Sequence, residues 1–149
     1  MITIQEYLLS KKHNKLEHAI QVTDETIKQI VKSELDRLGH DADLNHIDVS
    51  QVTNMFGLFK DYKNNNTDIS EWDVSNVKQM QFMFYSCENF NQDLSKWDVS
   101  KVEDMTAMFG DCKKFNQDLS KWDVRNVKYH SLMFDGCHIK KEYKPKFID

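Results

Sequence analysis
The chain has 149 residues, 40% of them hydrophobic, and its 20 Lys and Arg against 24 Asp and Glu leave a formal net charge of −4. That length suits one domain with one core rather than two. The acidic balance disfavours nucleic acid as a direct partner, and no stretch approaches the roughly 18 apolar residues that cross a bilayer.

Residues 1–43 read as an N-terminal helical cap. The start lacks a basic region followed by a long apolar run and has no small-residue cleavage site. The chain is therefore expected to be soluble, in the cytoplasm or in a virion, with surface display only by an unusual route. Thr3 and Glu6 are spaced as a capping box for a short helix. A second helix is predicted after Thr23 and Asp24, where Ile27, Ile30, Val31, Leu35 and Leu38 form one stripe and Gly39 is placed to end it. This helical pair either plugs the open end of the repeats that begin at residue 44 or carries a binding function of its own.

Residues 44–138 are one unit copied four times at a period of 25. Leu44, Ile69, Leu94 and Leu119 share a column, as do Ile47, Trp72, Trp97 and Trp122, and then Val49, Val74, Val99 and Val124. Further columns run through Val102, Met105, Met108, Phe109 and Cys112 of the third copy; His130 interrupts the Met column in the last. A fixed period in this range marks arrays in which each copy buries its apolar face against its neighbours. Within a copy, Trp97-x-Val99 alternates as a short strand, with Asp98 turned outward. The later steps of three and four fit a helical or 3₁₀ turn behind it. The expected fold is an α/β solenoid: a right-handed, leucine-rich-repeat-like stack of four 25-residue coils with parallel strands. Residues 139–149 form a disordered tail or a C-terminal cap, and Tyr143, Phe147 and Ile148 favour docking.

The pattern Leu-x-x-Trp-x-Val-x-x-Val-x-x-Met-x-x-Met-Phe-x-x-Cys resembles the leucine-rich-repeat variant of BspA-like surface proteins. The run Phe90-Asn-Gln-Asp-Leu-Ser-Lys-Trp-Asp-Val-Ser100 is similar to the Trp-Asp-Val repeat of mycoplasma lipoproteins and gut bacteria. The resemblance covers residues 44 to about 138 and implies a curved αβ array, extracellular display, and adhesion or protein binding. Secreted members of that family begin with export signals, which this start does not show.

Function is sought on the outward rows. Asp48, Asp73, Asp98 and Asp123 would form a carboxylate ladder at about 4.8 Å spacing along the strand face. Either each Asp accepts the N–H of the following turn, or the row is an acidic stripe for a basic partner or a hard cation. Ser75, Lys96, Ser100, Lys121 and Arg125 flank it, and Glu71 is placed to pair with Lys96 across copies. A second row, Asp68, Asp93 and Asp118, adjoins Asn91-Gln92 and Asn116-Gln117, where an asparagine ladder satisfying loop carbonyls is expected. Cys87, Cys112 and Cys137 share a column that reads as buried reduced thiols rather than a disulfide or metal site. The Trp column reads as core stacking rather than as a carbohydrate platform.

Glycine-rich phosphate loops, a nucleophile elbow and paired-histidine zinc motifs are all missing from the sequence. The expectation is a protein that is not an enzyme and needs no cofactor or metal: a protein-protein interaction module presenting the strand face to a protein partner. The competing class is a phage or viral virion component, structural or decorating, in host attachment or homo-oligomeric assembly.

Overall fold
The computed structural model describes residues 3–6 and 19–148. Thr3 and Glu6 form the predicted capping box: Thr3 N–H donates to Glu6 Oε2 at 2.7 Å, and Glu6 N–H returns to Thr3 Oγ1 at 3.1 Å. Residues 4–6 are helical, and the rest of that predicted helix lies outside the described residues. The second helix, α1, spans Ile27–Leu38 and ends at Gly39, whose φ is 91°. Its buried stripe is Ile27, Ile30, Val31 and Leu35, joined by Glu34; Leu38, placed on the stripe by spacing, is 42% exposed. Before the helix, β1 (Ile20–Gln21) pairs in parallel with β2 (Ile47–Asp48) of the first copy, a strand that no pattern in the sequence signals.

The α/β solenoid, a right-handed leucine-rich-repeat-like stack of four 25-residue coils, is overturned. Among the described residues the named elements are one short parallel pair, α1 and a 3₁₀ turn at Lys141–Tyr143. Residues 72–73, 97–98 and 122–123, equivalent to β2, are not strands, and no helix lies behind them. The reason is where the backbone donors go. Apolar residues three apart close tight turns on themselves: Trp97 N–H donates to Leu94 O, Val102 to Val99, Met108 to Met105, Gly110 to Ala107 and Cys112 to Phe109, at 3.0–3.1 Å. Ile47 N–H closes the same turn onto Leu44 O, and β2 forms only because Ile20 and Val22 of β1 donate to the carbonyls of His46 and Asp48; no such pair of donors reaches the equivalent carbonyls of the later copies among the described residues. Parallel bridging between copies is accordingly confined to single residues, such as Gln79 with Asp104.

The peptides between turns still join neighbouring copies in register. Met55, Gly57, Phe59 and Asp61 donate forward to the carbonyls of Gln79, Gln81, Met83 and Tyr85 at 2.8–3.0 Å, and the second and third copies repeat the row. Positive φ recurs at every fourth residue along these rows: Gly57 and Asp61, Phe82 and Ser86, Ala107 and Asp111, Leu132 and Gly136. Alternating the hand of the backbone in this way keeps successive N–H groups on one side, as in an anion-binding nest. Other bonds point backward: Glu103 and Asp104 donate to Lys78 O, and Lys128 and Tyr129 to Glu103 O. The first copy has no predecessor, and Asp24 takes that place, its carboxylate accepting Thr53 N–H at 2.7 Å and Asn54 N–H at 3.1 Å.

Inside, the rings of Phe59, Phe84, Phe109 and Phe134 stack at 5.4–5.6 Å and within 10° of parallel. The tail docks: Leu119 N–H donates to Tyr143 O at 2.8 Å, and Phe147 lies on His130 with centroids 3.9 Å apart. Ile148 remains 75% exposed. No helix among the described residues is long and apolar enough to cross a membrane.

Candidate functional site
The Asp row occupies one register position, but only Asp48 lies in a strand, β2, so the row lines no continuous strand face. Each carboxylate closes its own turn. Asp48, Asp73 and Asp98 accept the N–H of Ser50, Ser75 and Ser100 at 3.0 Å, and Ser75 Oγ–H adds a bond to Asp73 at 2.6 Å. Asp123 takes the Arg125 guanidinium at 2.8 and 2.9 Å, which holds its carboxyl down at about 2. The second row repeats the device, with Asp68, Asp93 and Asp118 accepting from Ser70, Ser95 and Ser120. Lys96 reaches Glu71 at 3.7 Å, an exposed pair worth at most about 1 kcal/mol. Lys121 is exposed on the same side.

The bonds from Ser75 and Ser100 hold Asp73 and Asp98 below the usual carboxylate range, and those from Ser70 do the same for Asp68. Groups whose folded pKa is depressed contribute stability above the unfolded value, about 4, and lose it as pH falls through the folded value. The urea midpoint is therefore expected to fall between pH 6 and pH 3. Asn at 73 and 98, which still accepts the turn N–H, should flatten that profile. An unchanged profile in the double variant would show that these turns contribute nothing to the acid response.

The asparagine ladder is present with its polarity reversed from expectation. Asn66, Asn91 and Asn116 accept the N–H of Asn91, Asn116 and Lys140 at 2.9–3.0 Å, while Gln92 and Gln117 donate to the carbonyls of Asn66 and Asn91. The tryptophans are core: Trp72, Trp97 and Trp122 are 4–5% exposed, and each indole N–H donates to a carbonyl 28 residues earlier. The three thiols are free, and those of Cys87 and Cys112 donate to Phe59 O and Phe84 O at 2.9 Å. Burial pushes the Cys87 thiol up to about 12 and Cys112 higher still, so neither is a nucleophile at neutral pH. No group of three His, Cys, Asp or Glu able to hold a metal occurs among the described residues.

A different feature stands out on the row of turns. Phe56 is 43% exposed and meets Phe82 edge-on at 5.8 Å; Phe82 meets Tyr85 likewise at 5.7 Å. Lys28 Nζ lies 5.4 Å from the Phe56 ring, and Lys60 Nζ lies 5.6 and 5.9 Å from the rings of Phe82 and Tyr85. Phe82 has φ 58°, a conformation that Gly57 adopts without a side chain in the copy before. A bulky residue there is strained by about 1–2 kcal/mol. The sequence did not single Phe82 out, because its column, Gly57, Phe82, Ala107 and Leu132, has no common residue type to break.

The family described as Mycoplasma protein of unknown function, DUF285, matches residues 27–146. No curated protein and no solved structure matches the chain. The match takes in α1, all four copies and the docked tail to residue 146, and the chain belongs to the DUF285 family.

Proposed function
We propose that this chain is a non-enzymatic protein-binding module whose contact surface is the aromatic patch of Phe56, Phe82 and Tyr85. The observation that carries the reading is the cluster itself: Phe56, 43% exposed, meets Phe82 edge-on, Phe82 meets Tyr85 likewise, and Lys28 and Lys60 lie near the rings. The left-handed backbone at Phe82 is shared by Asp61, Ser86, Ala107, Asp111 and Leu132 and belongs to the repeat, so the exposed rings and not the strain mark the patch. Aromatic anchors with cationic neighbours are also what dominates protein interfaces. The Asp row is a weaker candidate because its oxygens are engaged within their own turns. The resemblance of the repeats to BspA-like proteins supports binding as the broad class.

The strain provides a clean test. Phe82→Gly relieves the backbone and is expected to leave the fold as stable or more so by about 1 kcal/mol. Combined with Phe56→Ser, it should abolish retention of a partner from an extract of the native host by the immobilised chain. Undiminished retention by the folded double variant would dismiss the patch.

A further inference from the structure
The forward-pointing N–H rows end at the fourth copy. In the third, Ala107, Phe109 and Asp111 donate to Ser131 O, Met133 O and Asp135 O at 2.7–2.9 Å. The equivalent donors one period on are Leu132, Phe134 and Gly136, and no acceptor meets their N–H groups among the described residues. They keep the aim of their predecessors, with φ of 59° at Leu132 and 68° at Gly136 against 51° and 56° at Ala107 and Asp111. The docked tail accepts from none of them among the described residues. It leaves a cleft of about 400 Å³ beside the row, lined by Leu132, Phe134, Lys144 and Pro145, with Asp135 also on its wall. Leu132 stands 67% exposed at its edge.

We propose that this edge takes a carboxylate-bearing peptide segment of a partner protein, with acidic side chains on the N–H groups of Leu132 and Phe134 and an apolar neighbour against Leu132 and Pro145. The fold supplies its own precedent at the opposite end. There the backward N–H pair of Thr53 and Asn54, met by a carbonyl in every later copy, is met by the Asp24 carboxylate. A carboxylate thus substitutes for the missing copy once already. The charge is suited to the exchange: each row is a line of hydrogen-bonded peptides whose N–H ends collect partial positive charge. Lys144 Nζ, 5.4 Å from the Phe134 ring, adds a full charge, and with Lys141 and Lys146 alongside three cations stand against the two carboxylates of Asp135 and Glu142. This surface is separate from the aromatic patch, so the Phe82→Gly result does not bear on it.

The test is a titration of the ¹⁵N-labelled full chain with a short synthetic peptide alternating Asp and Val, and with its Asn-for-Asp counterpart. The amide signals of Leu132, Phe134 and Gly136 are expected to move with the acidic peptide while those of Ala107, Phe109 and Asp111 stay. The Asn peptide should move them less, and Lys144→Ala should weaken the acidic peptide by about threefold. Still signals at the three amides, or equal response to both peptides, would overturn the proposal. So would movement of the same signals on concentrating the protein alone, which would assign the edge to a second copy of this chain.

Discussion

Alanine in place of Trp97 is expected to lower the free energy of unfolding by about 4 kcal/mol. The indole is 4% exposed, lies beside Phe84 with centroids 6.4 Å apart, and donates to Ile69 O at 3.2 Å. Removing it opens a cavity between two copies that both continue beyond it, so neither can relax into the gap. Ile69 O keeps its turn bond from Trp72 N–H at 3.1 Å, which limits the polar part of the loss. Trp97→Phe retains most of the volume and forfeits the indole bond, for about 1.5 kcal/mol. The same change at Trp122, which is 5% exposed in a copy that the docked tail closes through Leu119, should cost about as much. Guanidinium unfolding of the three variants separates the cases. With total stabilities of about 5–15 kcal/mol for domains of this kind, Trp97→Ala should shift the midpoint far. A loss under about 1 kcal/mol would mean that the Trp column does not hold the copies together.

The period of 25, the inward columns and the outward acids were legible because register is written in which residues recur. Trp97 and Val99 are buried and Asp98 is exposed, as alternation requires. Local chemistry was legible too, as the Thr3 and Glu6 capping box and the Asx turns demonstrate. What alternation cannot separate is a strand from two tight turns sharing a corner, since Leu94-x-x-Trp97 fits both. The deciding signal, left-handed backbone at every fourth residue of the turn rows, is hidden by composition. Only Gly57 and Gly136 are glycines there, while Asp61, Phe82, Ser86, Ala107, Asp111 and Leu132 adopt the same conformation. Asp24 illustrates a second kind of blindness. In sequence it looks like part of a helix start; its partners Thr53 and Asn54 lie 29 and 30 residues away, where only the folded first copy places them.

Glu34 belongs to that second kind, and it supplies the other large effect. On α1 helical spacing puts position 34 on the buried stripe, seven residues after Ile27 and three after Val31, and the carboxylate there is fully enclosed. Arg37 meets it with two bonds at 2.8 and 3.1 Å, and His46 Nε2 approaches at 2.8 Å. The arrangement ties the helix to the first copy through a charge that water cannot reach. Arg37→Ala removes two charge-assisted bonds from that carboxylate and leaves His46 Nε2 against it, and a loss of about 2 kcal/mol is expected, since the enclosed ion keeps its desolvation penalty while losing part of its compensation. The loss should shrink when the charge is removed as well. In a Glu34→Met background, the same Arg37→Ala change is expected to cost under about 1 kcal/mol, because Arg37 is itself 43% exposed and can return to water. Equal losses in both backgrounds would show that Arg37 acts through its packed methylenes and not through the ion pair.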